Sequence, residues 1–185
     1  MSKLFYVIGP SGAGKDTLMN YARQQINGSE NVIFAHRYIT REPFFGSENH
    51  VSLSNEEFEL MKKGGMFALH WGSHNKYYGI GQEINSWLNK GFNVVVNGSR
   101  EYLPVAQRLY PDLFVILITA SAEVLIDRLA GRGRETADEI AARIARTAEL
   151  DVNLENCTTI QNDGEIEDAG SQLVNLISVT QKQLV

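Results

Sequence analysis

An α/β fold built on a parallel β-sheet is the architecture that this 185-residue sequence predicts. Three features carry the prediction. Short apolar runs rich in β-branched and aromatic residues alternate with segments of helical periodicity, the rhythm of strand–helix–strand units. The first run leads directly into a glycine-rich loop and then a helical pattern. The chain is long enough for one full core, with 43% apolar and 21% charged residues, so one domain is expected rather than two.

In order, "LFYVI" (4–8) reads as a buried strand, followed by a helix over 15–27. "NVIFA" (31–35) is the second strand. "SNEE" at Ser54–Glu57 is a capping-box pattern that opens a helix. "FNVVVN" (92–97) and "LFVILIT" (113–119) are strands with a helix over 101–109 between them. "SAEVLIDRL" begins a helix over 121–131, with Ser121 as N-cap candidate and Glu123 favourable in its first turn. A helix over 137–150, the strand "TTIQ" (158–161) and a helix over 165–183 complete the pattern. Two stretches break the rhythm. Residues 36–90 have shorter apolar runs, many Gly and all 4 His; residues 131–136, "GRGRET", are a basic, glycine-broken turn. Irregular segments on a regular scaffold are where sites concentrate, and ligands of such sheets bind outside the carboxyl ends of the strands.

A net charge of -5 argues against a nucleic acid or a polybasic membrane contact as the main partner. The single Cys157 cannot form an internal disulfide, which fits a reducing cytoplasm. "MSKLFYVIG" is too short for a secretory signal, and no apolar run approaches the ~20 residues of a spanning helix. A soluble cytoplasmic protein is expected.

The chemistry starts at "GPSGAGKDT" (Gly9 to Thr17), where G-x-x-x-x-G-K follows a strand and enters a helix. Backbone N–H groups along Gly9, Pro10, Ser11, Gly12, Ala13 and Gly14 can surround phosphate oxygens, Pro10 lending its shape rather than a donor. Lys15 reaches the β/γ-phosphates, and the helix N-terminus adds a favourable dipole. A glycine turn without ligand would not need strand, lysine and helix in register. The usual Ser or Thr after the lysine is Asp16, with Thr17 one position late. An acid in a first helical turn is stabilised by the dipole whatever its function. Beside a triphosphate it is repelled by about 4 kcal/mol per charge pair at ~4 Å and an effective dielectric of 20, unless a cation intervenes. Magnesium favours carboxylate and phosphate oxygens plus waters, so Asp16 is favoured as the metal-associated acid. Phosphate-loop enzymes often hold the magnesium shell with an acid at another strand end. Here "VVVNGSR" offers Asn97 and Ser99, as if the carboxylate had moved to the loop.

A second cluster, "AHRYITREPFFGSENH" (35–50), supplies Arg37 and Arg41 with His36 and His50. Guanidinium forks suit phosphate oxygens, although a solvated arginine pair is the plain alternative. "NKYYGIG" (75–81) brings Tyr77 and Tyr78 beside glycines; one is expected to pack on the core and one to face a ligand. "GRGRETADEIAARIAR" (131–146) carries Arg132, Arg134, Arg143 and Arg146, suited to a glycine-hinged lid closing on phosphoryl charge. A surface helix salt-bridged through Glu139 is the plainer reading of Arg146.

With these residues assembled, the chain resembles the guanylate kinase family over nearly its whole length. "GPSGAGK", "YITRE", "NKYYGI", "RLAGRGRETADEIAARIARTAEL" and "QND" fall in the family's order and approximate spacing. The resemblance implies a parallel-sheet P-loop kinase with a core (1–35 and 91–185), an acceptor-binding region (36–90) and a small helical lid (about 131–145). It implies Asn162 as a contact to the adenine of ATP. The departures concern the acceptor. Phe44 stands where the family has a second arginine, and His50 falls near its phosphate-binding tyrosine. Leu69 aligns with the glutamate that reads guanine, and Asn97 with an acid near the base. A site that has lost the groups pairing a polar edge forfeits discrimination of about 10⁴–10⁵.

"GPSGAGKD", "AHRYITRE", "GSENHVSLS", "YYGIG", "GFNVVVNGSR" with "YLP", and "NDG" are similar, more narrowly, to the ribose 1,5-bisphosphate phosphokinase family of the carbon–phosphorus lyase phosphonate pathway. That resemblance implies ATP and Mg2+ as donor and cofactor and a phosphorylated sugar as acceptor. Lys15, Arg132 and Arg143 would act on the transferred group, with Arg134 a weaker candidate. Arg37, Arg41, His50 and Tyr78 would hold acceptor phosphates; Asn97, Ser99 and Arg100 are placed at the acceptor by strand-end position alone. A nucleoside monophosphate kinase of altered base preference and a non-catalytic interaction module remain the alternatives. Oligomeric state is open, a homodimer being one option.

Overall fold

The computed structural model describes residues 2–26, 28, 31–41, 49–73, 75–131 and 157–178. The first strand, β1 (Leu4–Ile8), is buried at all five positions. Phe5 and Val7 enter one apolar cluster, and Leu4, Tyr6 and Ile8 the other. A strand covered on both faces reads as an unbroken apolar run rather than an alternating one. The chain then forms α1 (Lys15–Ile26) and β2 (Val32–Phe34). Three further strands join this sheet: β7 (Asn93–Asn97), β8 (Phe114–Thr119) and β9 (Cys157–Gln161). The order is β2-β7-β1-β8-β9, with every pairing parallel. The strand order turns back about β1, so β1 and its neighbours end at a crevice of the kind that takes ligands in open α/β sheets.

One face of the sheet is covered by α1 and α6 (Ile166–Ser178), which pack on each other through Leu18, Ala22, Ala169 and Leu173. The other face packs against α3 (Glu83–Asn89), α4 (Leu103–Leu109) and the second sheet described below. Burying each Leu, Ile or Phe side chain in these layers stabilises the fold by about 1.5–3 kcal/mol. Among the described residues no helix is long and apolar enough to cross a membrane.

The segment read as irregular, 36–90, is instead regular. It forms β3 (Arg37–Ile39), β4 (His50–Ser52), β5 (Phe67–Ser73) and β6 (Lys76–Gly81), a mixed sheet of order β4-β3-β6-β5. The sequence hid it because β3 and β4 have three residues each. In β5 the inward positions, Phe67, Leu69 and Trp71, alternate with His70 and Gly72, the period-2 signal of a half-buried strand. Ser54 caps α2 (Asn55–Lys63) through both bonds of a capping box: its hydroxyl accepts from Glu57 N, and Glu57 accepts from Ser54 N. Ser121 accepts from Val124 N at 3.4 Å, at the start of α5 (Ala122–Gly131). The helix expected from 101 begins two residues later, at Leu103. The helix expected over 137–150 and the lid lie outside the described residues.

Candidate active site

The loop between β1 and α1 lies at the carboxyl end of β1. Gly14 has a φ of +87°, and a Cβ there would strike the amide of Asn162, so only glycine fits. Leu18 N donates to Gly14 O at 3.0 Å, beginning the helix. Lys15 donates to Gly9 O at 2.8 Å and to Pro10 O at 3.0 Å, its ammonium folded against the loop it serves. Thr17 and Ser11 are exposed.

Asn162 follows β9 and is 5% exposed. Its Nδ2 donates to Ala13 O at 2.7 Å, fastening the far sheet edge to the loop. Next to it Asp163 accepts from Ser121 N at 2.6 Å and from Gln161 Nε2 at 2.7 Å, bonds that hold its carboxyl below the usual range. A cavity of about 250 Å³ opens here between Gly12, Gly14, Thr17, Arg128, Asn162 and Ile166. Sequence reasoning missed Arg128. Its Nη1 is buried and makes no hydrogen bond to the described residues, so a guanidinium is offered to whatever fills the cavity. An arginine in an ordinary amphipathic helix carries no sequence signal for such a role.

The second grouping spans the crevice. Asn97, the last residue of β7 and 5% exposed, donates from Nδ2 to Asp16 Oδ1 at 2.6 Å. Arg37, at the start of β3, reaches the same oxygen at 3.5 Å. Its guanidinium also lies 5.7 Å from the centre of the Tyr78 ring. Burial lowers the Arg37 pKa most, and the Asp16 charge opposes that shift. Asn97 Oδ1 is buried and accepts no hydrogen bond from the described residues. Among the described residues both donors to Asp16 use Oδ1, so Oδ2 is available to a cation or its water. Among the described residues no three His, Cys, Asp or Glu side chains cluster as a metal cage. One carboxylate that is 42% exposed and one amide oxygen suit magnesium, which rarely takes an all-protein cage and keeps several waters.

Arg41 lies just beyond β3, half-buried, with its carbonyl accepting from the Ser52 hydroxyl. His50 pairs in register with Arg37 across the parallel β3–β4 ladder. Neither His50 ring nitrogen has a partner among the described residues. Burial, then Arg41 and Arg37, push its pKa down, against a smaller pull from Asp16. His36 is exposed. Tyr77 stacks on Phe58 at 5.4 Å, whereas Tyr78 faces Arg37.

After Asn97 the chain turns on Gly98. A Cβ there would run into the Tyr6 ring. The Tyr6 hydroxyl accepts from Ser99 N at 3.0 Å and donates to Ser99 O at 3.2 Å. Its burial raises its pKa, so the phenol stays neutral. Tyr6 thus fixes the backbone from which Ser99 and Arg100 project. Sequence reasoning took it as core and missed the clamp, because a buried tyrosine's partner is set by tertiary structure. Arg100 is half-buried, which lowers its pKa. Arg132, Arg134, Arg143 and Arg146 lie outside the described residues.

The family model for guanylate kinase matches residues 1–180. Ribose 1,5-bisphosphate phosphokinase PhnN of Thiobacillus denitrificans is 55% identical over 176 residues, covering 95% of this chain and 93% of that protein. The protein of the same name from Desulfomicrobium baculatum is 47% identical over 180 residues, covering 97% and 96%. The crystal structure of guanylate kinase from Anaplasma phagocytophilum superposes with a TM-score of 0.71 at 16% identity, over 97% of this chain and 87% of that one. The structural likeness establishes the same fold.

Proposed function

The chain belongs to the guanylate kinase family and, within it, to the ribose 1,5-bisphosphate phosphokinases; from that premise we propose that it transfers the γ-phosphoryl group of ATP to α-D-ribose 1,5-bisphosphate. The products are ADP and 5-phospho-α-D-ribose 1-diphosphate, and the setting is phosphonate breakdown. The observation that carries this reading is a crevice furnished for phosphate beside a wall that cannot read a base. Arg37, Arg41, His50 and Asp16 line one side, while Leu69 is wholly buried in an apolar cluster with Trp71 and Ile80.

In this reading an oxygen of the acceptor's 1-phosphate attacks the γ-phosphorus. The bond to the β–γ bridging oxygen breaks, and ADP leaves with that electron pair. The nucleophile is already anionic, so no general base is required. Catalysis is positioning and charge neutralisation. The loop amides and Lys15 hold the donor phosphates, the ammonium exchanging the carbonyls of Gly9 and Pro10 for phosphate oxygens. The cavity beside Arg128 and Asn162 takes the adenosine end of ATP. Arg37, Arg41, His50 and Tyr78 hold acceptor phosphates, and Asn97, Ser99 and Arg100 face the ribose or its second phosphate. Arg132 and Arg143 neutralise the transferred group. Asp16, with Asn97 behind it, would hold magnesium, which would supply charge neutralisation for the donor phosphates.

The test is phosphorus NMR of the purified protein with ATP, Mg2+ and either ribose 1,5-bisphosphate or GMP. A diphosphate at the ribose C1 position is expected with the first and little turnover with the second. Preferred phosphorylation of GMP would replace this reading with a nucleoside monophosphate kinase. Failure to bind ATP with or without magnesium would favour the non-catalytic module.

A further inference from the structure

Among the described residues two arms that reach Arg37 are both rooted at the carboxyl end of β7. The polar arm runs from Asn97 to Asp16 at 2.6 Å and on to Arg37 at 3.5 Å. The second arm is aromatic. Tyr102, five residues after Asn97 and just before α4, stacks on Trp71 at 5.6 Å and 29°. Trp71 stacks on Tyr78 at 5.6 Å with the rings 4° from parallel. These two are partners in the β5–β6 register, the arrangement in which cross-strand side chains touch. Tyr78 then presents its face to the Arg37 guanidinium.

The polar arm's contact to Arg37 is long, and Asp16 remains 42% exposed while the Arg37 side chain is only 12% exposed. A guanidinium so deeply placed favours a second attractive surface, and the electron-rich face of tyrosine supplies one. That face helps only while its ring stays still. Trp71, 8% exposed and held between two rings, keeps it still.

We propose that Trp71 and Tyr102 are positioning residues that fix Arg37, through Tyr78, for the acceptor. This rests on the acceptor reading above, and it also predicts a property of the free protein. The Arg37 Nε–H proton should resonate upfield, shifted by the Tyr78 ring. Trp71→Leu and Tyr102→Leu should each return it towards the value of an unstacked arginine, whereas Trp71→Phe should preserve the shift. In kinetics, the two leucine variants should raise the acceptor KM about tenfold, within the range of one partly desolvated cation–π contact, and leave the ATP KM unchanged. In an Arg37→Gln background, which has no cation to lay on the Tyr78 ring, neither should add a further loss, because their effect runs through the guanidinium. Tyr102→Leu, which removes a half-buried ring, guards against a misfolded Trp71→Leu. An Arg37 signal unmoved in both leucine variants, or losses additive with Arg37→Gln, would overturn the positioning role. A wild-type protein inert towards ribose 1,5-bisphosphate would overturn the acceptor reading instead, and the NMR measurement would still decide the role of the stack.

Discussion

Asn97 Nδ2 donates to Asp16 Oδ1 at 2.6 Å, joining the end of β7 to the first turn of α1 across 81 residues of sequence. The contact places amide and carboxylate in one small constellation, with the carboxylate on the loop side. Asp16→Asn should therefore lower kcat by about 100-fold, the scale of losing one electrostatic stabiliser at a phosphoryl centre, and raise the magnesium needed for half-maximal rate. The exchange Asp16→Thr with Asn97→Asp, which returns the carboxylate to the strand, should recover part of that loss. A magnesium titration of turnover for the three proteins decides it. Unchanged magnesium dependence in Asp16→Asn would remove Asp16 from the metal's surroundings.

The Tyr6 clamp predicts a separable effect. Tyr6→Phe keeps the ring beneath Gly98 but strands Ser99 N–H, at a cost of about 1–3 kcal/mol. The melting temperature should fall, and the acceptor KM should rise more than the ATP KM. Gly98→Ala should destabilise by about 1–3 kcal/mol through overpacking against that ring. Thermal denaturation alongside the two KM values tests both.

At the donor side, Asn162→Ala leaves Ala13 O without its buried donor. The loop should loosen, and the ATP KM should rise by roughly five- to 150-fold for a loss of about 1–3 kcal/mol. The acceptor KM should stay within about twofold of wild type, because distant sites are nearly independent. Isothermal titration with a non-hydrolysable ATP analogue measures this without turnover.

Stability should fall in mild acid. Burial, Arg41 and Arg37 lower the pKa of His50; burial and Lys62 lower that of His70, with Glu59 opposing. An unfolded histidine titrates near 6.5, so below that value the unfolded chain binds more protons than the native one. The histidine contribution is intact above about pH 6.5 and is lost as the pH drops through it towards the lowered native values. Urea midpoints between pH 8 and 5 should decline, and His50→Gln with His70→Gln should flatten that decline. An equally steep decline in the double variant would refute the assignment.

The sequence alone determined the main sheet and the phosphate loop. Both are local: an apolar run between turns, and glycines with a lysine at fixed spacing before a helix, are decided within about twenty residues. It determined the capping box of α2 for the same reason. It also marked Asp16, Asn97, Arg37 and Tyr78, because each is a chemically conspicuous group beside an element end. Tertiary structure decided who meets whom. Half of the second sheet was illegible because β3 and β4, of three residues each, have too little periodicity to read and form only when β3 pairs with both β4 and β6, although β5 does carry a period-2 signal. The contacts of Tyr6, Trp71 and Tyr102 and the cavity beside Arg128 were equally hidden, since aromatic residues at core spacing and an arginine on an amphipathic helix look ordinary. What places each aromatic ring is a partner far along the chain, as Tyr6 and Ser99 or Trp71 and Tyr102 are. Only packing sets such a pairing: the desolvation that makes it worth forming appears once both layers close around the sheet.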